Sequence, residues 1–341
     1  MTIYIILLLL LFFVSLRGIG KAGMLLFILI LSVILGFREE NVGVDTINYV
    51  SYYNETSGIL DGYMEKGWNT LIVLCKLFSL SAYGCHFIVA LLTFIPFYLI
   101  MAEFRDNYVN GYILFFLYSL CFYFLMFNGM RQLLSISIVL MGFQSLNKGR
   151  TALFFVWIII ASFIHLSSLL ALSVYFIPKI RFTPNRVVLL LSVSFIMGLF
   201  LGEAFFVAVS GKYAHDVEYG LRTGVAYVMI VGLLTNLFTL WLYFQHPDLD
   251  DNFWIKCNIL SVVVLNVLSN LIIGPRIVYI FSVTSIIAFS LYLRYSSNVL
   301  LHVVSYLYAL VMFAKFMLPE LLMYGLDGSL IPYRMNFQPF M

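Results

Sequence analysis

Two arginines follow helix-breaking residues, in positions where a bound anion would be stabilised. Asn128-Gly129 interrupts an apolar stretch just before Arg131, and Gly274-Pro275 stands just before Arg276. Each arginine is therefore expected in the first turn of a helix, where free backbone N–H groups and the helix dipole already favour negative charge. A guanidinium also offers a planar fork to phosphate oxygens. The spacing predicts a phosphate or pyrophosphate clamp, with arginines reaching for lipid headgroups as the alternative.

Asp45 and His165 are the candidates for proton transfer. Asp45 lies in the polar segment 38–66 and is followed by Tyr49, whose apolar ring and hydroxyl suit a sugar. His165 interrupts a long apolar run, and an ionisable group inside such a run is a functional candidate. Either side chain could act as a general base. The alternatives are a helix cap or a solvated loop acid for Asp45, and for His165 a packing role with a hydrogen bond to a nearby serine.

The composition predicts that these residues are carried by membrane helices. Of the 341 residues 63% are hydrophobic and 10% are charged, with a mean hydropathy of +1.02, so there is too little polar surface for a soluble domain. The net charge of +3 argues against nucleic-acid binding, and the four cysteines lack the spacing of a metal site. We therefore predict one all-α, polytopic membrane domain over residues 1–341.

The apolar runs define the predicted helices. Splitting the run 151–177 at His165 gives about twelve crossings of a bilayer that needs roughly 20 residues per helix. The stretch 65–80 is amphipathic, which predicts an additional interfacial or re-entrant helix. The runs lie at about 2–16, 22–37, 84–101, 111–127, 131–146, 151–177, 187–209, 224–245, 256–273, 277–293 and 299–318.

Cations in the short loops predict the orientation in the membrane. The positive-inside rule places these loops in the cytoplasm; their cations are Arg17, Lys21, Arg105, Lys148, Arg150, Lys179, Arg181, Arg186, Lys256 and Arg294. The opposite, outer side then receives the segment 38–66, the turn at 128–129, the loop 211–223, the break at 274–275 and the tail 319–341. The candidate residues for chemistry are thus expected on the outer face.

Four motifs, in this order along the chain, resemble the EpsG family of bacterial exopolysaccharide and O-antigen (Wzy-type) polymerases. They are Arg38 with Gly43-Val44-Asp45-Thr46 and Tyr49, then Phe127-Asn128-Gly129-Met130-Arg131-Gln132, then His165-x-Ser167, and finally Pro332-Tyr333-Arg334. The resemblance implies a fold like that of the GT-C glycosyltransferases and a multi-pass protein of the bacterial inner membrane. It also implies that undecaprenyl-pyrophosphate-linked oligosaccharides are joined at the outer face.

The resemblance and the residue types together suggest roles for the site. Arg131 would stabilise the leaving pyrophosphate, and we favour Asp45 as the base, with His165 orienting the acceptor hydroxyl or a phosphate oxygen. The expected substrate-binding residues are Arg38, Tyr49, Asn128, Gln132, Arg276, Tyr333 and Arg334. No cofactor and no metal are expected, because no paired-aspartate motif is present. The expected partners are the lipid-linked substrate, membrane lipid and a chain-length regulator.

Other classes of function remain open at this stage. A flippase of lipid-linked oligosaccharide would carry ionisable groups along a path through the membrane and an internal repeat. A membrane O-acyltransferase would use His165 as its base but has less need for two arginines. The sequence does not separate a polymerase from an O-antigen ligase or from a GT-C transferase that adds one sugar. A surrounding gene cluster for polysaccharide synthesis would favour the polymerase, and a lipid A core cluster would favour the ligase.

The orientation predicts which positions can be labelled from outside the cell. In a variant without native cysteines, a cysteine at position 45 should react with a membrane-impermeant maleimide in intact cells, and one at position 150 should not. Labelling at 150 but not at 45 would overturn the predicted topology.

Overall fold

The computed structural model describes the backbone of residues 1–246, 249, 251–268 and 274–340, and the side chains of these residues except 201–229 and 275. Over these residues the chain is helical, with two isolated β-bridges and no strand. The helices are α1 (Thr2–Arg17), α2 (Lys21–Gly36), α3 (Thr46–Glu55), α4 (Lys66–Leu77), α5 (Ala82–Phe104), α6 (Asn107–Ser119), α7 (Phe122–Leu125), α8 (Met130–Asn147), α9 (Thr151–Ile164), a 3₁₀ helix (Leu166–Lys179), α10 (Pro184–Gln245), α11 (Phe253–Leu268), α12 (Gly274–Tyr295) and α13 (Val299–Leu322).

The all-α class is confirmed for the described residues, whereas the count of about twelve crossings is not. Within the part of the chain that the structure describes, three helices are long and apolar enough to cross a membrane: Ala82–Phe104, Arg276–Tyr295 and Val299–Leu322. Other apolar helices are shorter, and a 16-residue helix such as α1 spans only about 24 Å. One predicted run, 111–127, is divided by Cys121, whose left-handed backbone (φ 67°) separates α6 from α7. A run of apolar residues therefore does not by itself establish a helix long enough to cross a membrane.

One predicted break and one predicted additional helix are confirmed. The run 151–177 is divided at His165, because α9 ends at Ile164 and the 3₁₀ helix begins at Leu166. The stretch 65–80 contains the separate short helix α4, whose buried side includes Trp68 and Ile72. Its location at a membrane interface stays a prediction.

The chain divides into two compact units. Unit 1 comprises Met1–Leu169 and Phe289–Met341, and unit 2 comprises Leu170–Ala288. In unit 1, α1 packs on α6, α2 on α5, and α8 on both α5 and α9. A single functional domain over residues 1–341 stays a prediction.

One end of unit 1 gathers loops that the sequence places in the cytoplasm. The Lys148 ammonium after α8 lies 2.6 Å from the carboxylate of Glu103, near the end of α5. Arg294 pairs with Asp106 in the α5–α6 loop, and the α1–α2 turn bonds to the backbone of Asn107. The α1–α2, α5–α6, α8–α9 and α12–α13 loops therefore meet at this end.

The opposite end of unit 1 is crossed by the C-terminal tail. The Tyr4 hydroxyl donates to the Leu330 carbonyl at 3.1 Å, and the Asn336 N–H donates to the Phe37 carbonyl at 2.7 Å. Further along, the Ser81 N–H donates to the Pro339 carbonyl at 3.0 Å. The tail thus joins the start of α1, the end of α2 and the start of α5.

Unit 2 is held together by a buried polar contact. The Asn266 amide on α11 donates to the Ser194 hydroxyl and to the Asn236 side chain, both at 2.9 Å. Ser194 and Asn236 would be about 63 Å apart if α10 were straight, yet both bond to Asn266. The segments Pro184–Phe200 and Ile230–Gln245 of α10 therefore lie side by side against α11. The predicted outer loop 211–223 lies outside the residues whose side chains are described.

The contact between α2 and α5 provides a test of the packing in unit 1. A Cβ on Gly36 would lie 2.3 Å from the Phe87 Cα, so Gly36→Ala forces the two helices apart. We expect a destabilisation of about 1–3 kcal/mol and a lower melting temperature in detergent. Gly20→Ala, at the other end of α2, meets no atom within 4 Å and serves as the control. Identical melting curves for the two variants would contradict the close packing.

Candidate active site

The turn before α8 is held by a buried cation, Arg38. Its Nε donates to the Thr46 hydroxyl at 2.9 Å, its Nη2 donates to the Phe127 carbonyl at 3.1 Å, and its Nη1 donates to the Leu35 carbonyl. The side chain is fully buried, and burial lowers the pKa of Arg38 to about 10, which leaves it charged at neutral pH. Arg38 was predicted to bind substrate. The structure instead directs its donors to protein atoms, where they hold the turn in place.

Gly43 allows this turn to approach the start of α3. Its backbone has φ +90°, and a Cβ at this position would lie 3.0 Å from the Phe127 carbonyl oxygen and 3.1 Å from Asn128 Oδ1. A residue with a side chain would therefore be strained and would push the turn away. The Asn128 oxygen is itself buried and has no hydrogen-bond partner in the structure, which leaves it able to accept one.

Arg131, Glu65 and His165 form the charged centre of unit 1. Arg131 is the second residue of α8, Glu65 immediately precedes α4, and His165 separates α9 from the 3₁₀ helix. One Glu65 oxygen pairs with Arg131 Nη1, and the other lies 3.3 Å from His165 Nδ1. The three side chains are 21%, 25% and 17% exposed, so they are shielded but reachable. The same Glu65 oxygen also accepts the Leu166 N–H at 3.1 Å.

Tyr49 and Asp45 extend this centre along α3. The Tyr49 hydroxyl contacts the Arg131 backbone, and its ring lies 5.7 Å from that of Trp68. Burial raises the pKa of Tyr49, so the hydroxyl stays protonated and able to donate. Asp45 precedes α3, but its side chain makes no capping bond; it accepts a hydrogen bond from Asn48 at 3.5 Å. The structure therefore brings Asp45, Tyr49, Arg131 and His165 to one end of unit 1.

The other predicted site residues lie in different surroundings. The Tyr333 hydroxyl donates to the Ile34 carbonyl at 2.7 Å, which fixes the tail to α2. Arg334 is exposed, and its backbone carbonyl accepts the Glu39 N–H. Gln132 is buried in the first turn of α8. Arg276 is exposed in the first turn of α12, in unit 2, so its action together with Arg131 stays a prediction.

Glu65 is the residue that the sequence analysis missed. The amphipathic stretch 65–80 was noted, but an acidic residue at the start of a helix is usually explained by the helix dipole. The structure shows that the Glu65 side chain makes no capping bond and turns towards Arg131 and His165 instead. The sequence did offer one signal for a functional role: Glu65 stands directly before a short helix, between the motif around Asp45 and the motif around Arg131.

An apolar cavity of about 560 Å³ begins next to this centre. It lies between α4, α5, α8 and α9, and its apolar lining includes Leu92, Leu134, Ile138, Phe163 and Ile164. Lys66 and Thr70 supply the polar groups of the lining. Two lining residues are chain neighbours of the centre, since Lys66 follows Glu65 and Ile164 precedes His165. A charged head and an apolar chain of one molecule could therefore be held side by side.

The described residues contain no cluster of three or more His, Cys, Asp or Glu side chains that could hold a metal ion. Catalysis without a metal stays a prediction.

The comparison with protein families identifies the chain. A model of the EpsG family matches residues 21–335, which include every predicted site residue. No curated protein and no solved structure matches the chain. Because the family model covers nearly the whole sequence, the chain belongs to the EpsG family, and it is a membrane protein of polysaccharide biosynthesis.

Proposed function

We propose that this protein is a polysaccharide polymerase, which joins undecaprenyl-pyrophosphate-linked oligosaccharides at the outer face of the bacterial inner membrane. The observation that carries the proposal is that Arg131, at the start of α8, and His165 contact the two oxygens of one carboxylate, Glu65, whose chain neighbour Lys66 lines an apolar cavity. A polymerase of this class needs these three features together: a cation for pyrophosphate, a base for the acceptor and a groove for the isoprenoid.

Arg131 is suited to the leaving group. Its guanidinium and the positive end of the α8 dipole both favour negative charge at the same point. Such preorganised charge is usually the largest contribution to catalysis, and it costs no reorganisation when the pyrophosphate leaves. In our proposal this charge takes the part that a metal ion plays in other transferases. Arg276 and the exposed Arg334 are the further cations proposed to bind phosphate.

His165 is proposed as the base, because the Glu65 carboxylate lies beside its imidazole. One Glu65 oxygen lies 3.3 Å from His165 Nδ1, and in the tautomer with its proton on that nitrogen Nε2 is the nitrogen that accepts a proton. Asp45, favoured from sequence alone, has an asparagine as its partner and stands next to Tyr49. We now assign Asp45 and Tyr49, with Asn128 and Gln132, to binding the acceptor sugar.

The proposed reaction is a single transfer. The acceptor hydroxyl oxygen forms a bond to the anomeric carbon of the donor sugar while the bond from that carbon to the pyrophosphate breaks. His165 receives the hydroxyl proton, and the pyrophosphate leaves on its lipid with the electron pair, stabilised by Arg131. The isoprenoid chain stays in the cavity lined by α4, α5, α8 and α9. A chain-length regulator would contact the enzyme elsewhere.

The distribution of charge supports an enzyme over a transporter. In unit 1 the candidate site lies at one end, and the ion pairs of Glu103 and Asp106 lie at the other. A flippase would need polar groups along a path between the two faces. An O-antigen ligase would use the same centre, and the identity of the accumulated product distinguishes it from a polymerase.

Replacing Arg131 by lysine tests the pyrophosphate clamp. Arg131→Lys keeps the charge but loses the fork that binds two phosphate oxygens, so we expect polymer formation to fall about 100-fold or more. The measurement is polymer length and amount in cells that lack the chromosomal gene and express the variant at the wild-type level. Arg150→Lys, before α9 at the opposite end of unit 1, should leave the polymer unchanged. Wild-type polymer from Arg131→Lys would remove the clamp.

A second pair of variants assigns the base. His165→Gln should abolish polymerisation and lead to accumulation of single lipid-linked repeats, because a glutamine cannot accept the proton. Asp45→Asn keeps the shape and hydrogen-bonding capacity of its side chain and should retain partial activity. The lipid-linked products are extracted and measured by mass spectrometry. The reverse result, an active His165→Gln and an inactive Asp45→Asn, would assign the base to Asp45.

A further inference from the structure

The Glu65 carboxylate contacts the two side chains that are proposed to act on the substrate, Arg131 and His165. One oxygen pairs with Arg131 Nη1, and the other meets His165 Nδ1 and the Leu166 N–H. A carboxylate and a phosphate present similar oxygens to a guanidinium, so both compete for the same donors. In this structure Arg131 is therefore neutralised by an internal anion.

We propose that Glu65 is a displaceable positioning residue, which holds Arg131 until the donor pyrophosphate takes its place. The proposal rests on the proposed function, since it assumes that pyrophosphate binds at Arg131. Glu65 holds the Arg131 side chain beside the start of α8. It also ensures that this cation, in a shielded site, is paired with an anion. Arrival of the substrate then exchanges one anion for another.

The surroundings of Glu65 favour such an exchange. Its side chain is a quarter exposed, so solvent reaches one side of the ion pair and weakens it there. It makes no capping bond to α4, so its movement would not remove a cap from that helix. Pyrophosphate carries more charge and more oxygens than a carboxylate, and it can fill both arms of the guanidinium fork.

The exchange also links donor binding to proton transfer. Once Arg131 turns to pyrophosphate, the charge of Glu65 is no longer shared between two partners. Its full charge then faces His165, where it stabilises the imidazole in the protonated form that follows removal of the acceptor proton. His165 would therefore become a better base only when a donor is present, which protects against proton transfer without a substrate.

The test is the affinity of purified full-length protein for undecaprenyl pyrophosphate. Glu65→Gln removes the competing charge, so we expect it to bind this lipid about 3- to 10-fold more tightly than wild type, while polymer formation falls at least tenfold. A structural role alone predicts weaker binding. Glu103→Gln removes the ion pair with Lys148 at the opposite end of unit 1 and should leave the affinity unchanged. Glu65→Asp, with its shorter reach, should also bind more tightly and replaces the glutamine variant if that variant is unstable.

A double-mutant comparison assigns the competition to Arg131. Arg131→Gln should bind the lipid more weakly, and adding Glu65→Gln to it should restore nothing, because no guanidinium remains to be released. Equal or weaker binding by both Glu65 variants, with normal wild-type binding and a weakened Arg131→Gln, would overturn this inference and leave the proposed function standing. Absence of lipid binding by wild type would overturn both.

Discussion

The buried guanidinium of Arg38 is the interaction on which the site depends. A cation without water must have its donors satisfied, and Arg38 meets this requirement with oxygens from three segments of the chain. They belong to the end of α2, the start of α3 and the turn before α8. A hydrogen bond to a charged group typically contributes about 1.5–3 kcal/mol, so these three bonds fix the segments to one another. Arg131 lies four residues after Phe127, so the same contact fixes the position of the first turn of α8.

The remaining site residues are placed by helix ends. Glu65 and Asp45 precede helices, Arg131 lies in a first turn, and His165 separates α9 from the 3₁₀ helix. Backbone groups at such ends lack partners within the helix and can turn to a substrate. The cavity continues from this end between α4, α5, α8 and α9. In our proposal polar chemistry is thus kept at one end of unit 1, and the apolar chain of the substrate lies among the helices below it.

The sequence predicted the helix breaks and the types of residue at them, because both follow from local patterns. Asn128-Gly129 placed Arg131 in a first turn, and His165 marked the end of α9. Long-range contacts were not predictable in this way. Burial of Arg38 depends on carbonyls up to 89 residues away, and the Glu65 pair with Arg131 joins residues 66 positions apart. The predicted number of crossings is not confirmed, because hydropathy does not show where a helix such as α6 ends.

The most direct test of the central claim is an experimental structure of the protein with undecaprenyl pyrophosphate. The phosphates should lie within hydrogen-bonding distance of Arg131 and the first turn of α8, with the isoprenoid in the cavity beside Leu134 and Ile138. Glu65 should have left Arg131 and kept its contact with His165. Phosphates bound elsewhere, with the Glu65–Arg131 pair intact, would contradict it.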